Sequence, residues 1–268
     1  MKKLCASLLL MVCLSAHASE LALFTEAFPP YNFSEQNKVV GINSDILSRA
    51  CTLAEVKCTF SLLPWHRAFK EAQSTINSGV FSTSRTAQRE QSFIWVGPLV
   101  SSNSCFYRLK ERADITVVNE QSLKNYTVGI TRGDIYESVL QGIGLQKGKN
   151  YLTYSKKQGE SKMFKQGKLD LLIGSSLTLE SQLFAVGLKP EDVVPVFELN
   201  DDSLVGNYLA LNKQSAPLVA AKLQNALDNL KQSGEVESII SRYTGVPAMS
   251  ERSLPIHLER CVNGKANY

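Results

Sequence analysis

No Lys/Arg-rich run occurs in the 268 residues, and the formal charge is only +4, from 29 basic and 25 acidic residues. A nucleic-acid binder concentrates basic charge on one face, so that class is set aside. Histidine is scarce: His17, His66 and His257 show no ligand spacing, and no CxxC pair is present, so no metal or cofactor site is expected. No Ser or Cys is placed with a His and an acid in the pattern that nucleophilic catalysis uses. After Ala18 no apolar run approaches the roughly 20 residues that cross a bilayer. No internal repeat is visible. The chain is also not dominated by its 16 Gly and 9 Pro; at 44% hydrophobic and 20% charged it has a globular composition. At about 150 residues per domain, its length suits one large domain or two modest ones.

The first segment reads as a secretory signal. Lys2 and Lys3 precede an apolar run from Leu4 to Leu14, and Ala16-His17-Ala18 supplies small residues at the cleavage positions. The run is too short for a spanning helix; an anchor, or lipidation at Cys13, is the competing reading. Residues 1–18 are therefore taken as a signal peptide, and an exported chain is expected. Four cysteines remain beyond it, and an even count in an exported chain reads as two disulfides. Cys51 and Cys58 bracket six residues between a helix and a strand, which suits a local bridge. Cys105 with Cys261 is the remaining pair, and would tie the C-terminal tail to the middle of the chain.

Beyond the signal, strand and helix patterns alternate. Leu21–Phe24, Lys57–Leu63, Phe93–Val96, Cys105–Leu109, Tyr126–Ile130, Leu169–Ile173, Val193–Phe197 and Tyr208–Leu211 read as strands. Helices are expected from Asn43-Ser44-Asp45, whose side chains suit a cap, and over Arg67–Ile76, Ile135–Leu140 and Pro217–Lys231. A last helix carries Val236, Ile239, Ile240 and Tyr243. This alternation predicts an α/β fold with mostly parallel sheets. Ligands of such sheets sit where strand ends meet loops. That singles out Phe28–Tyr31, Leu63–Arg67, Phe81–Arg89 and Thr131–Tyr136.

The order of motifs resembles the family 3 extracellular solute-binding proteins, receptors of amino-acid ABC transporters. The resemblance rests on Phe28-Pro29-Pro30-Tyr31, Gly41-Ile42 with Asp45, and Thr86-Ala87-Gln88-Arg89 followed by Phe93 and Pro98. It continues through Leu123-Lys124, Val128-Gly129-Ile130 with Gly133, Gly167-Lys168-Leu169-Asp170, and Ala226-Leu227 with Leu230, Gly234 and Ile239. It implies a type II periplasmic-binding-protein fold: two lobes, two hinge strands and a cleft. Residues 19–107 and 206–247 would form lobe 1, 108–205 lobe 2, and 248–268 a tail. Cys105–Leu109 would be the outgoing hinge and Gly206–Leu209 the return. It further implies a periplasmic monomer that closes on a small polar carboxylate-bearing solute and delivers it to a membrane permease. The alternatives are a cyclohexadienyl-dehydratase-like enzyme on the same scaffold, needing Glu180 or Asp134 as acid or base, and an orphan sensory protein.

Arg89 matches the family position that grips the ligand carboxylate, for which a planar two-pronged guanidinium is suited. The competing reading is a surface Arg beside Glu90, and Arg85 is the second candidate. Thr83, Ser84 and Thr86 offer hydroxyl and backbone groups. Phe28 could form an apolar wall, while Tyr31 reads as structural. Trp65 and Arg67 follow the Pro64 turn and lean toward the cleft; His66 reads as solvated. Asp134 suits a helix N-cap and would favour a cationic over an anionic ligand group. Ser175 stands where the family carries an ammonium-pairing Asp, so a standard α-ammonium partner is missing there. Asp170 reads as turning the chain.

Overall fold

A computed structural model describes residues 20–155, 159–244, 258 and 261. The expected signal peptide and most of the expected tail lie outside the described residues.

The elements run β1 (Glu20–Thr25), β2 (Phe33–Glu35), β3 (Lys38–Val40), α1 (Ile42–Leu53), β4 (Lys57–Leu62), α2 (Trp65–Ser74), β5 (Ser78–Thr83), α3 (Ala87–Glu90) and β6 (Phe93–Ser101). Then come β7 (Ser104–Leu109), β8 (Val128–Thr131), α4 (Ile135–Gly142), β9 (Tyr151–Tyr154), α5 (Gly159–Lys165), β10 (Leu171–Ser175), α6 (Leu179–Phe184) and β11 (Val193–Leu199). The chain continues through β12 (Gly206–Asn212), α7 (Pro217–Gln232) and α8 (Glu235–Tyr243).

Two five-stranded sheets result, in the orders β4-β1-β5-β12-β6 and β9-β8-β10-β7-β11. In each, the first three strands pair in parallel; every pairing that involves β7 or β12 is antiparallel. The expected mostly parallel sheets are therefore half antiparallel. The reason is topological: β7 and β12 are the strands by which the chain enters one sheet directly after leaving the other. Cys105–Leu109, expected as the outgoing hinge, lies wholly within the second sheet, paired on both sides. The crossing falls instead at Ser102 and Asn103. The return falls between Leu199, the end of β11, and Gly206.

Helix α1 starts at Ile42, one residue before the expected cap, and no side chain caps it. Its first free amides are taken by the aromatic loop: Ile42 N donates to Pro30 O at 3.0 Å and Asn43 N to Tyr31 O at 2.9 Å. Only glycine fits at the junction. Gly41 has φ 122°, and a Cβ there would stand 2.6 Å from Tyr31 O. The loop before the helix and the helix itself are thus one rigid piece.

Strand β5 falls partly where the sequence suggested loop, from Phe81 onward. Its residues Ser-Gly-Val-Phe-Ser-Thr show no apolar run, yet all but Ser82 are buried. Position in the middle of a sheet, covered on both faces, overrides its weak local signal. The first core gathers α1, α7 and α8 on one face of the first sheet, through Ile46, Leu223, Leu227 and Val236. The second sheet has a core on each face, one around Phe106, Leu140 and Tyr151, the other around Tyr107, Phe164 and Leu183.

Two disulfides join Cys51 to Cys58 and Cys105 to Cys261. The second fixes Cys261 in the second lobe, although α8 packs on the first. Leu258 and Cys261 are buried there, and the Tyr107 hydroxyl donates to Cys261 O at 2.9 Å.

Candidate functional site

A cavity of about 120 Å³ opens between the two sheets, lined from both. The first lobe contributes Phe28, Tyr31, Trp65, Thr83, Ser84 and Arg89; the second contributes Asp134, Tyr136, Ser175 and Thr178.

Arg89 reaches this cavity because β5 ends in a bulge. Tyr208 of β12 faces Thr83 while the next residue, Leu209, faces Phe81, leaving Ser82 as the extra residue, at φ 59°. A bulge re-aims the strand end, and Ser82 is pinned by the Asn43 amide, which donates to its Oγ at 2.9 Å. Short α3 then brings Arg89 back over the strand. Its Nη1 donates to Thr83 Oγ1 at 3.1 Å and Ser84 O at 3.3 Å. Phe69 and Trp65 lie against the guanidinium, 5.2 and 5.6 Å away. Among the described residues no carboxylate comes within ion-pair distance. Burial pulls the guanidinium somewhat below its usual pKa, opposed by the charge of Asp134, and it stays fully charged at neutral pH. A fixed, partly desolvated guanidinium has the geometry and charge to meet a planar anion.

Arg85 does something else. It forms a two-pronged pair with Glu90 at 2.6 and 2.7 Å, stacked over Trp95, and does not line the cavity. Glu90, the expected rival partner of Arg89, is thereby occupied. Arg67 also misses the cavity, contrary to expectation: it is exposed and pairs with Glu71 at 3.7 Å. Helix α2 begins at Trp65, and two residues on a helix turn a side chain about 200° away. Trp65 therefore faces the cavity and Arg67 faces solvent. His66 is exposed as expected, but at the cleft rim: a Cβ added to Gly133 of the opposite lobe would stand 3.5 Å from its ring.

Asp134 caps α4, accepting from Tyr136 N at 3.2 Å, and also lines the cavity. Ser175 is buried in a hydroxyl cluster, 3.2 Å from Tyr31 Oη and 3.0 Å from Thr178 Oγ1. Tyr136 Oη lies 3.0 Å from Ser104 Oγ, and burial raises both the Tyr31 and Tyr136 phenols, which stay protonated. Glu180 does not line the cavity. Asp170 turns the chain, accepting from Thr127 N and Thr127 Oγ1 at 2.9 and 2.8 Å.

Several lining residues carried no local signal: Glu26, Ser102, Ser104, Thr178 and Asn207. Ser102, Ser104 and Asn207 lie at the crossings, and only the strand pairing reveals that these are cleft positions. Beside the main cavity, and sharing Phe28, Thr131, Asp134, Tyr136 and Thr178 with it, a second cavity of about 60 Å³ runs into the second lobe to Glu160, Ile173 and Gln182. Among the described residues no group of three or more metal-ligating side chains occurs.

Two α/β lobes, crossed twice by the chain and enclosing a polar cleft, define the two-lobed binding-protein class. The chain belongs to the bacterial extracellular solute-binding proteins, family 3, whose pattern it matches over residues 22–246. It is 22% identical over 249 residues to an arginine-binding periplasmic protein of Mannheimia haemolytica, covering 91% of this chain and 99% of the relative. Among solved structures, it resembles a periplasmic binding protein of Salmonella typhimurium described for high arginine specificity. The TM-score is 0.67 at 19% identity, with 85% of this chain and 100% of the other covered. A histidine kinase sensor domain with similarity to periplasmic binding proteins superposes at TM-score 0.71 and 19% identity, covering 85% and 96%.

Proposed function

We propose that the protein is a periplasmic receptor that captures an amino acid by lobe closure and passes it unchanged to a membrane permease. The observation that carries this reading is the Arg89 guanidinium, held by Thr83 and Ser84 in the interlobe cavity with no carboxylate partner among the described residues. An α-carboxylate would complete it. Ser175 offers no charge to an ammonium, so that role passes to Asp134, and Glu26 also lines the cavity. The second cavity extends the reading to the side chain. Among the described residues, its lining includes the carboxylates Asp134 and Glu160, and Phe28, Ile130 and Ile173 supply an apolar flank. An aliphatic stem ending in an amine or guanidinium suits this surface. The arginine-binding relatives support the same direction.

The test is calorimetric titration with L-arginine, L-lysine, L-glutamine, L-glutamate and agmatine, with recovered ligand analysed for turnover. The expected order is L-arginine or L-lysine above L-glutamine, with agmatine, which lacks the carboxylate, not binding. Asp134→Asn should lower affinity for the basic amino acids about tenfold, the scale of one charge-assisted hydrogen bond. Asn caps helices as well as Asp does, so the variant should fold normally. Equal binding of agmatine and L-arginine would remove the carboxylate anchor, and a chemically altered ligand would favour an enzyme.

A further inference from the structure

Tyr31 reads from sequence as a structural aromatic, yet its hydroxyl occupies a singular place. It lies 3.0 Å from Ser102 Oγ, at the outgoing crossing, and 3.2 Å from Ser175 Oγ, at the end of β10 in the second lobe. Asn207, near the start of the returning strand, lines the same cavity. One buried phenol thus bonds both to the outgoing crossing and to the far lobe. Its ring is 2% exposed and meets Phe28 edge-on at 5.3 Å, and Phe28 is a wall of both cavities. The ring's own backbone does not yield, because Tyr31 O and Pro30 O hold the first amides of α1 and Gly41 packs against them.

We propose that Tyr31 is the latch of the hinge: its hydroxyl fastens the first lobe to Ser175 and to Ser102 at the outgoing crossing when the lobes are together, and its contact with Phe28 links that fastening to what fills the cleft. Parting the lobes must break the Tyr31–Ser175 bond, since the two residues move with different sheets. A buried neutral hydrogen bond contributes about 0.5–1.5 kcal/mol, so losing it shifts the open-to-closed ratio about three- to tenfold.

The proposal does not depend on the ligand. Ligand-free wild type, Tyr31→Phe, Ser175→Ala and the double variant are compared by small-angle scattering and by single-molecule fluorescence between dyes on the two lobes. Each single variant should raise the open population about three- to tenfold, and the double variant no more than either one, because both remove the same bond. Melting temperatures of the variants control for damage to the fold. Open populations unchanged from wild type, or single effects that add fully in the double variant, would overturn the latch.

Discussion

The two lobes share one strand order but divide the work differently. In each sheet three parallel strands are followed by a strand borrowed from the crossing and then by an antiparallel edge strand. The first lobe places the fixed cation, Arg89, on short α3 just beyond the β5 bulge, with Trp65 and Phe69 of α2 against it and Phe28 on the loop locked to α1. The second presents hydroxyls and carboxylates, Ser104, Asp134, Tyr136, Ser175 and Thr178, on strand ends and a helix cap. Under the proposed function, one side sets where an anion sits and the other meets whatever else the ligand carries. The difference shows how one topology, used twice, can supply two complementary half-sites.

The comparison breaks most readily at the disulfides. Cys51–Cys58 closes a separation of 7 residues inside the first lobe, whereas Cys105–Cys261 closes 156 and completes the second. Chain-entropy reasoning gives roughly 2 kcal/mol for the short loop and roughly 5 kcal/mol for the long one. Cys105→Ser with Cys261→Ser should thus lower the unfolding midpoint in urea about twice as much as Cys51→Ser with Cys58→Ser. Equal losses would mean that the tail adds nothing to the second lobe beyond local packing.

A smaller effect sharpens the assignment of charge to the first lobe. Arg89→Ala should weaken L-arginine binding about 100-fold by calorimetry, the scale of two hydrogen bonds to a charged group. Arg85→Ala should change it less than about threefold, because surface ion pairs such as Arg85–Glu90 contribute little. If the two variants lose affinity equally, the cation is not held by the bulge.

The smallest effect concerns acid. Lys147, bonded to Glu137 at 2.7 Å, holds that carboxyl below the usual range, and the carboxylate also accepts from Gly133 N at 3.3 Å. A lowered folded pKa contributes stability above the unfolded value that disappears as pH falls through the folded one. Below about pH 4 the Gly133 amide in the turn before α4 should therefore lose protection, its exchange by mass spectrometry being referred to the intrinsic rate at each pH. Lys147→Ala should move that change to higher pH by under one unit. Protection of Gly133 indifferent to pH and to Lys147 would detach the second-lobe rim from this ion pair.

Much of this was legible in the chain. Leu21–Phe24, Tyr126–Ile130 and Pro217–Lys231 announce themselves by apolar spacing, because each buries a face against a core. Arg89 is readable from the run Thr86-Ala87-Gln88-Arg89. What stayed hidden depended on context. Strand β5 is small and polar, and only its central place buries it. Arg67 depended on the starting residue of α2, since a helix that began two residues later would turn a different face to the cleft. The crossing at Ser102–Asn103 leaves no mark at all, because a strand that changes sheets reads like any other until its partners are known.

The junction of the last cysteine with β7 has a consequence for how the molecule comes to exist. A chain leaving a ribosome or a secretion channel from its N-terminus delivers Cys105 long before Cys261, at a sequence separation of 156. The central lobe, although encoded mid-chain, must wait with part of its apolar interior uncovered until the final stretch arrives to seal it with Leu258 and Cys261. A nascent chain truncated after Tyr243 should therefore expose that interior to chaperones.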